Sequence, residues 1–412
     1  MRICFFTENY YKGGLDTFLI NLVNSWPDIR DDLTLVCNAS HPGLDVISLK
    51  TIRPLNIVRY RRLFTSKLAQ NGCKINRRLA FLVRVIFIFA YQFLQYPILF
   101  PWYILTLTIY FKGSSFDRLM VVNGGYPASL LCRSAVIAWW LAGKLPLAVM
   151  NFHNSTSRPP CLFILFESFI DKLIIKSSSN IVTVSQACLH SLFTRKEFMN
   201  CKKLSFIYNG IKDPQTSLVP ISDAQRTEVS RYCLMLATYE RRKGHAFLLH
   251  AFQSVVEAFP DVQLRIYGDG KPHQKKYVAD QVERLGLGSN VMLGDFTSQT
   301  SELLSRASVL VVPSQAYESF GLTIIEAMSF GLPIVTTNVG GMPEVVGDSK
   351  AGYVCSKDDR LEFAAAIKRL LGSPSIAFEY GKNGRIAFRR RFTSDIMSQK
   401  YARIIRSAGA LL

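Results

Sequence analysis

The 412-residue chain has no Gly- or Pro-rich tract, no low-complexity run and no repeat of solenoid length, which argues against fibrous, linker-like and repeat architectures. None of its nine Cys residues forms a Cys-x-x-Cys pair, and no His joins them at zinc spacing, so no structural zinc site is expected. The Cys count is odd. The opening Met1-Arg2-Ile3-Cys4-Phe5-Phe6 reads as a buried strand rather than a charged and then apolar leader. A reducing cytosol is the expected home, with each Cys a small core hydrophobe. Nucleic-acid-binding motifs are missing too, so no nucleic-acid partner is read from the net charge of +19.

Acidic side chains are absent locally. Between positions 46 and 116 there is no Asp or Glu, against 11 Lys and Arg. Residues 1–212 carry 25 basic and 10 acidic residues, whereas 213–412 carry 24 and 20, so the charge is concentrated in the first half. Within the acid-free stretch, Phe81–Phe111 is nearly all apolar and aromatic, broken by Arg84, Gln92, Gln95, Thr106, Thr108, Pro97 and Pro101. Three readings stand: attachment to an anionic membrane surface, one or two core helices, or a membrane span. The two prolines cut the segment into short pieces, which weighs against a span. For surface attachment, Trp102, Tyr103 and Tyr110 suit the headgroup layer.

Apolar runs alternate with helical patterns throughout. Expected strands are Ile3–Phe6, Leu33–Cys37, Leu119–Val122, Leu147–Phe152, Ile181–Val184 and Lys203–Tyr208, then Tyr232–Leu236, Gln263–Tyr267, Asn290–Leu293, Val309–Val312 and Ile334–Thr337. Helical patterns such as Phe247–Glu257 and Gln274–Leu285 lie between them. Continuous apolar strands separated by helices predict parallel sheets, and two such sets predict two doubly wound α/β domains facing a cleft. A polar stretch with two prolines at about 211–230 divides 1–212 from 213–385. Residues 386–412 form a basic helical tail, expected to pack back toward the first domain. Ligands of such sheets bind beyond the carboxyl ends of the strands.

The richest motif runs from Val309 to Ile334. A strand ends at Pro313-Ser314, a loop carries Glu318 to Gly321, and a short helix from Leu322 stops at Gly331. The amides of Ser319, Phe320, Gly321 and Leu322 would lie at a helix N-terminus, an anion site suited to a diphosphate. Glu326 is flanked by Ile324, Ile325, Ala327 and Met328, where a carboxylate is costly unless something hydrogen-bonds to it. Paired ribose hydroxyls would do so; the plainer alternatives are a helix-surface Glu326 and a solvated loop Glu318.

With strand, Pro-Ser, Glu318, Phe-Gly-Leu, Glu326-Ala-Met, Gly and Pro in order, the chain resembles the family-4 retaining glycosyltransferases, which carry an E-x7-E signature on a GT-B fold of two Rossmann-like domains. That resemblance implies that Glu318 contacts the donor sugar, that Glu326 binds the nucleotide ribose, and that the loop amides take the phosphate. Further stretches are similar: Gly13-Gly14 after the first strand, Tyr208-Asn209-Gly210 closing the first domain, Tyr267-Gly268-Asp269-Gly270 near the nucleotide, and Gly340-Gly341-Met342-Pro343-Glu344. His153, just after Leu147–Phe152, stands where many members carry a His facing the donor sugar; a structural His is the alternative. The likeness is strong over 230–350 and thin over 40–145, where the family binds its acceptor. By this likeness the first domain is acceptor-binding, with a basic and apolar insertion, and the second binds the nucleotide sugar.

One position departs. Members carry an Arg five residues before a Lys-Gly pair; here Lys243-Gly244 fits, but Thr238 replaces the Arg. Arg242 or Arg241 is then the expected second cation on the leaving diphosphate. No Asp-x-Asp metal motif and no cofactor is expected, the nucleotide diphosphate sugar being a substrate. The implied activity is retaining, metal-independent glycosyl transfer to a glycan or lipid-linked acceptor, by an enzyme peripheral on the cytoplasmic face of a membrane and held by anionic lipid. A soluble acceptor is the second enzymatic reading, and a catalytically weakened nucleotide-sugar-binding scaffold the third.

Overall fold

The computed structural model describes residues 1–60, 94–159, 161–214 and 232–407. The chain divides into two compact units. The first comprises 1–183, 189–207 and 398–412; the second comprises 184–188 and 208–397.

The first unit holds seven parallel strands in the order β3-β2-β1-β4-β5-β6-β7. They are β1 Arg2–Thr7, β2 Asp32–Asn38, β3 Asn56–Tyr60, β4 Arg118–Asn123, β5 Ala148–Phe152, β6 Ser178–Thr183 and β7 Leu204–Phe206. β1 is buried from Ile3 onward because parallel neighbours cover it on both sides. The helices are α1 Gly14–Asn24, α2 Leu44–Lys50, α3 Phe100–Gly113, α4 Leu130–Leu141 and α5 Ile164–Ser177. Ser129 caps α4 by accepting the Cys132 amide at 3.0 Å. Every side chain of α4 from Leu130 to Trp139 is buried.

The contested apolar segment is described from residue 94. A single wide turn, Gln95–Leu99, holds Pro97, and Pro101 sits in the first turn of α3, where its missing N–H is not needed. The spacing of Tyr96, Phe100, Tyr103, Leu107 and Phe111 puts one face of this stretch into the core. Tyr103, read above as a headgroup residue, is one of these core residues: helical periodicity assigns it to the opposite face from Trp102. No helix among the described residues is long and apolar enough to cross a membrane; Phe81 to Phe93 lie outside them.

Short helix α6, Gln186–Ser191, leads toward the second unit. Its sheet has the order β10-β9-β8-β11-β12-β13, with β8 Tyr232–Leu236, β9 Gln263–Tyr267, β10 Val291–Gly294, β11 Val309–Val312, β12 Ile334–Thr337 and β13 Gly352–Cys355. Between and after these strands come α7 His245–Ala258, α8 Pro272–Arg284, α9 Thr300–Arg306, α10 Leu322–Ser329, α11 Met342–Val346, α12 Arg360–Gly372, α13 Pro374–Arg391 and α14 Ser394–Ser407. Apolar layers cover both faces of the sheet. The expected tail helix over 386–410 is two helices. Thr393 breaks it, pairing with Ile211 in an isolated bridge.

Candidate active site

In each sheet the strand order reverses once, between β1 and β4 in the first unit and between β8 and β11 in the second. Such switch points leave a crevice at the carboxyl ends of the two strands.

In the second unit, the loop after β8 carries Thr238 to Lys243, and the loop after β11 carries Pro313 to Gly321. They are laced together: the Gln315 amide donates to the Arg242 carbonyl at 2.8 Å. Gly244, at φ 80°, ends a single 3-10 turn formed by Arg241–Lys243. A Cβ there would meet the Pro313 carbonyl oxygen at 1.9 Å, so only glycine fits. This close approach sets Lys243 against Glu318: the ammonium donates directly to Oε2. Arg242 Nη1 lies 3.7 Å from the same oxygen, while its Nε donates to Glu240 at 2.6 Å. Thr238 donates to the other Glu240 oxygen at 3.1 Å. Arg241 forms no ion pair among the described residues, so Arg242 is the second cation at this carboxylate.

Gly321 caps α10 in the left-handed region, φ 89°. The amides of Phe320, Gly321 and Leu322 find no acceptor among the described residues, so they remain free for an anion. The Ser319 carbonyl, by contrast, accepts the Ser185 hydroxyl at 2.6 Å, which fixes the loop. Glu326 lies one turn into α10. Burial among its apolar neighbours pushes its carboxyl up to about 7, and it has no hydrogen-bonding partner among the described residues. A carboxylate held this way favours a ligand bringing hydroxyl donors.

Gly268 has a packing reason of its own: a Cβ would meet the Ala237 carbonyl oxygen at 1.8 Å. Its glycine is required by the approach of β9 to the end of β8. Glu344 was read only as part of a turn. It accepts the Gln186 and Ala187 amides at 2.8 and 2.5 Å and the Tyr208 hydroxyl at 3.2 Å. It thereby ties residues 184–188 to the second unit. Its sequence signal was the carboxylate in the first turn of a helix behind two glycines.

In the first unit, Gly13-Gly14 opens α1, and a Cβ on Gly13 would meet nothing within 4 Å. That open space leaves the backbone accessible. Asp16, three residues on, accepts the Gly13 amide at 3.2 Å. His153 follows β5, with its amide donating to the Asn123 carbonyl at 3.0 Å. Its ring meets Phe18 edge-on, centroids 4.2 Å apart. Burial lowers its pKa to about 3, so the ring is neutral, and Nε2 has no partner among the described residues. A neutral imidazole can direct a hydrogen bond to a sugar hydroxyl but brings no positive charge. Glu8, missed by the motif search, reaches across the switch point to accept the Ser129 hydroxyl and also takes the Tyr10 hydroxyl at 2.8 Å. Among the described residues no group of three or more His, Cys, Asp or Glu could hold a metal ion.

Residues 222–387 match the model of the family Glycosyl transferases group 1. Over this stretch the chain is similar to that family. The match covers less than half of the chain. Glycogen synthase of Mycobacterium tuberculosis is 28% identical over 235 residues, 57% of this chain and 54% of that protein. A phosphatidyl-myo-inositol mannosyltransferase of Mycobacterium leprae is 31% identical over 195 residues, 47% of this chain and 51% of that one. The chain thus spans about half the length of these curated relatives. The whole fold has solved counterparts: Anabaena Alr3699/HepE, crystallised with UDP, aligns over 99% of this chain and all of that one, with a TM-score of 0.71 at 20% identity. Two parallel-sheet α/β domains are therefore the GT-B plan.

Proposed function

We propose that the chain is a retaining glycosyltransferase that moves a sugar from a nucleotide diphosphate sugar to a lipid-linked or cell-surface glycan. The observation that carries this reading is the group of Lys243, Arg242 and Glu318 at a switch point, beside the free amides of α10 and the unpartnered Glu326. Glu326 takes the ribose hydroxyls, and the amides of Phe320 to Leu322 take the diphosphate. Donor binding parts the Lys243–Glu318 pair: the ammonium turns to phosphate and the carboxylate to sugar hydroxyls. As the C1–O bond breaks, charge grows on the β-phosphate, where Lys243, Arg242 and the helix N-terminus stabilise it without a metal. The acceptor oxygen bonds to C1 on the face the phosphate leaves, and its proton passes to that phosphate.

The acceptor fits a position on the cytoplasmic face of a membrane, supported by the basic balance of the first half of the chain. Thr238, in place of an Arg, keeps a nucleotide-sugar-binding scaffold as the second reading. The test is a panel of nucleotide sugars, with binding read by thermal shift and products read by proton NMR. Retention of the anomeric configuration, unaffected by a chelator, is expected. Inversion, or chelator-sensitive turnover, would overturn the mechanism. Binding without transfer to any acceptor would favour the scaffold.

A further inference from the structure

The face of the first unit formed by α3 and α5 combines exposed apolar side chains with few carboxylates: α3 has none, the two acids of α5 are buried, and half-buried Glu197 beside them is engaged by the Ser168 hydroxyl of α5. On and just before α3, Leu94, Ile98, Trp102, Leu105 and Ile109 are exposed, opposite the core face already described. Their spacing of four, four, three and four residues makes one continuous stripe. Leu162, Leu165, Phe166 and Phe169 are exposed on and just before α5, Leu165 at 81%. Beneath the surface, buried Tyr96 ties the turn before α3 to the start of α5, its ring 4.9 Å from Phe163 and 5.9 Å from Phe166. An apolar surface of this extent on one unit marks an interaction site.

Charge decides what covers it. α5 contains two acids, Glu167 and Asp171, and both are turned inward. Arg195 bridges them at 2.6 and 3.0 Å, and Arg133 donates to Glu167 at 2.9 Å, all four residues being buried. Tyr96 adds a hydrogen bond to Glu167 at 2.6 Å. The outward side of α5 instead shows Lys172 and Lys176, with Arg158 exposed before the helix, Lys112 at the end of α3 and Lys196 nearby in the chain. In sequence, residues 61–93 carry seven Lys and Arg and no acid. A protein partner or a second copy would need acids, or a neutral face, to meet this surface. A bilayer with anionic headgroups supplies both negative charge and an apolar layer.

We infer that the α3–α5 face inserts its apolar stripes into an anionic bilayer, with Trp102 at the headgroup level and Lys172 and Lys176 on the lipid phosphates. This rests on the membrane-side reading of the function and assigns it a surface. The connectivity gives the docking an orientation. α3 ends at the amino end of β4 and α5 at the amino end of β6, so both helices begin on the side of the strand carboxyl ends. The apolar surface is broadest there, on the same side of the unit as Gly13, Glu8 and His153. A lipid-borne substrate would then reach the switch point of this unit without leaving the bilayer surface.

The purified full chain is mixed with vesicles of phosphatidylglycerol or of phosphatidylcholine, and bound protein is separated by flotation. Binding to the anionic vesicles only is expected. A Leu165→Ser/Phe169→Ser variant should bind at least about tenfold more weakly, because two large apolar contacts are lost. Lys172→Gln and Lys176→Gln should each cost about fivefold at low salt. In a Trp140→Phe background, lipid spin labels at the headgroup level should quench Trp102. UDP affinity is measured on the same samples and should be unchanged, so that failure of donor binding registers separately from failure of docking. Undiminished vesicle binding by the serine variant, an unquenched Trp102, or no vesicle binding at all would overturn the inference. So would a doubled mass in light scattering that the serine variant returns to the monomer, which would assign the face to a second copy.

Discussion

In the second unit the cations Lys243 and Arg242 stand at strand ends, partly exposed, and share the carboxylate of Glu318. In the first unit Arg133 and Arg195 lie wholly inside, locked to Glu167 and Asp171 beneath α5. The sheets follow the same plan, but one places its charge where a ligand can displace a partner, and the other buries the two acids of α5. An ion pair at a strand end can be exchanged for a phosphate. A buried network cannot be opened without leaving uncompensated charge, so it serves to shape a face.

The sharpest way to break this contrast is to remove one charge from each place. Arg195→Met takes from Asp171 its cation and from Glu167 one of two, leaving buried charge uncompensated, and should lower the unfolding free energy by about 3–5 kcal/mol. All four Trp residues, at 26, 102, 139 and 140, lie in the first unit, so their fluorescence during urea unfolding reads that unit alone. A shift below 1 kcal/mol would mean that the network is not closed as described.

Lys243→Ala should leave that unfolding curve in place and lower turnover by about 10²–10³-fold, the scale for losing one donor to transition-state charge. Arg242→Ala should follow with a smaller loss, and Arg241→Ala with almost none. Equal losses at Arg241 and Arg242 would show that Arg242's approach to Glu318 does not persist once the donor is bound.

Glu326 gives a prediction in pH. Its free carboxyl titrates near 7, above the ordinary 4.5. In the role proposed above it is the ionised form that accepts ribose hydroxyls, so nucleotide affinity should fall as the pH drops through about 7. The free chain behaves oppositely: protonation favours its fold, and this contribution, complete below 4.5, is lost as pH rises through about 7. Calorimetric titration with UDP across pH 5.5–8.5 reads the first effect. Glu326→Gln should weaken affinity and abolish the pH dependence; an unchanged affinity in that variant would remove the residue from the site. The smallest effect is expected at Gly13→Ala. The fold has open space there, so stability should stay within about 0.5 kcal/mol, while any substrate that needs the bare backbone should bind more weakly.

Buried parallel strands such as Ile3–Phe6 and Val309–Val312 were legible because both faces are covered and every residue is apolar. The two strands left unread lie at sheet edges. β3, Asn56–Tyr60, is largely exposed, and β13 begins with Gly352, so neither shows a continuous apolar run. Glu326 stood out because a carboxylate clashes with its apolar neighbours, whereas Glu318 and Lys243 were picked out through the resemblance of their motifs. Glu344 and Glu8 could not be picked out, since their partners are distant amides and hydroxyls that only folding brings near. The apolar stretch before Phe111 was read as core, as surface or as a membrane span. It divides lengthwise, and the separating signal was its helical period. α5 carries Glu167 and Asp171 in its sequence, and only the fold shows that both point inward.

Residues 398–407 belong to the first unit although they follow the whole of the second. Tyr401 accepts a hydrogen bond from Asn151 on β5 at 2.8 Å and packs edge-on against Phe18, the ring that also touches His153. Dissection of the chain must respect this. A fragment cut at residue 207 would lack the wall behind Phe18, and a synthetic peptide spanning α14 should complement it in trans. Shortening the tail would accordingly be felt first in the seating of a histidine some 250 residues earlier in the sequence.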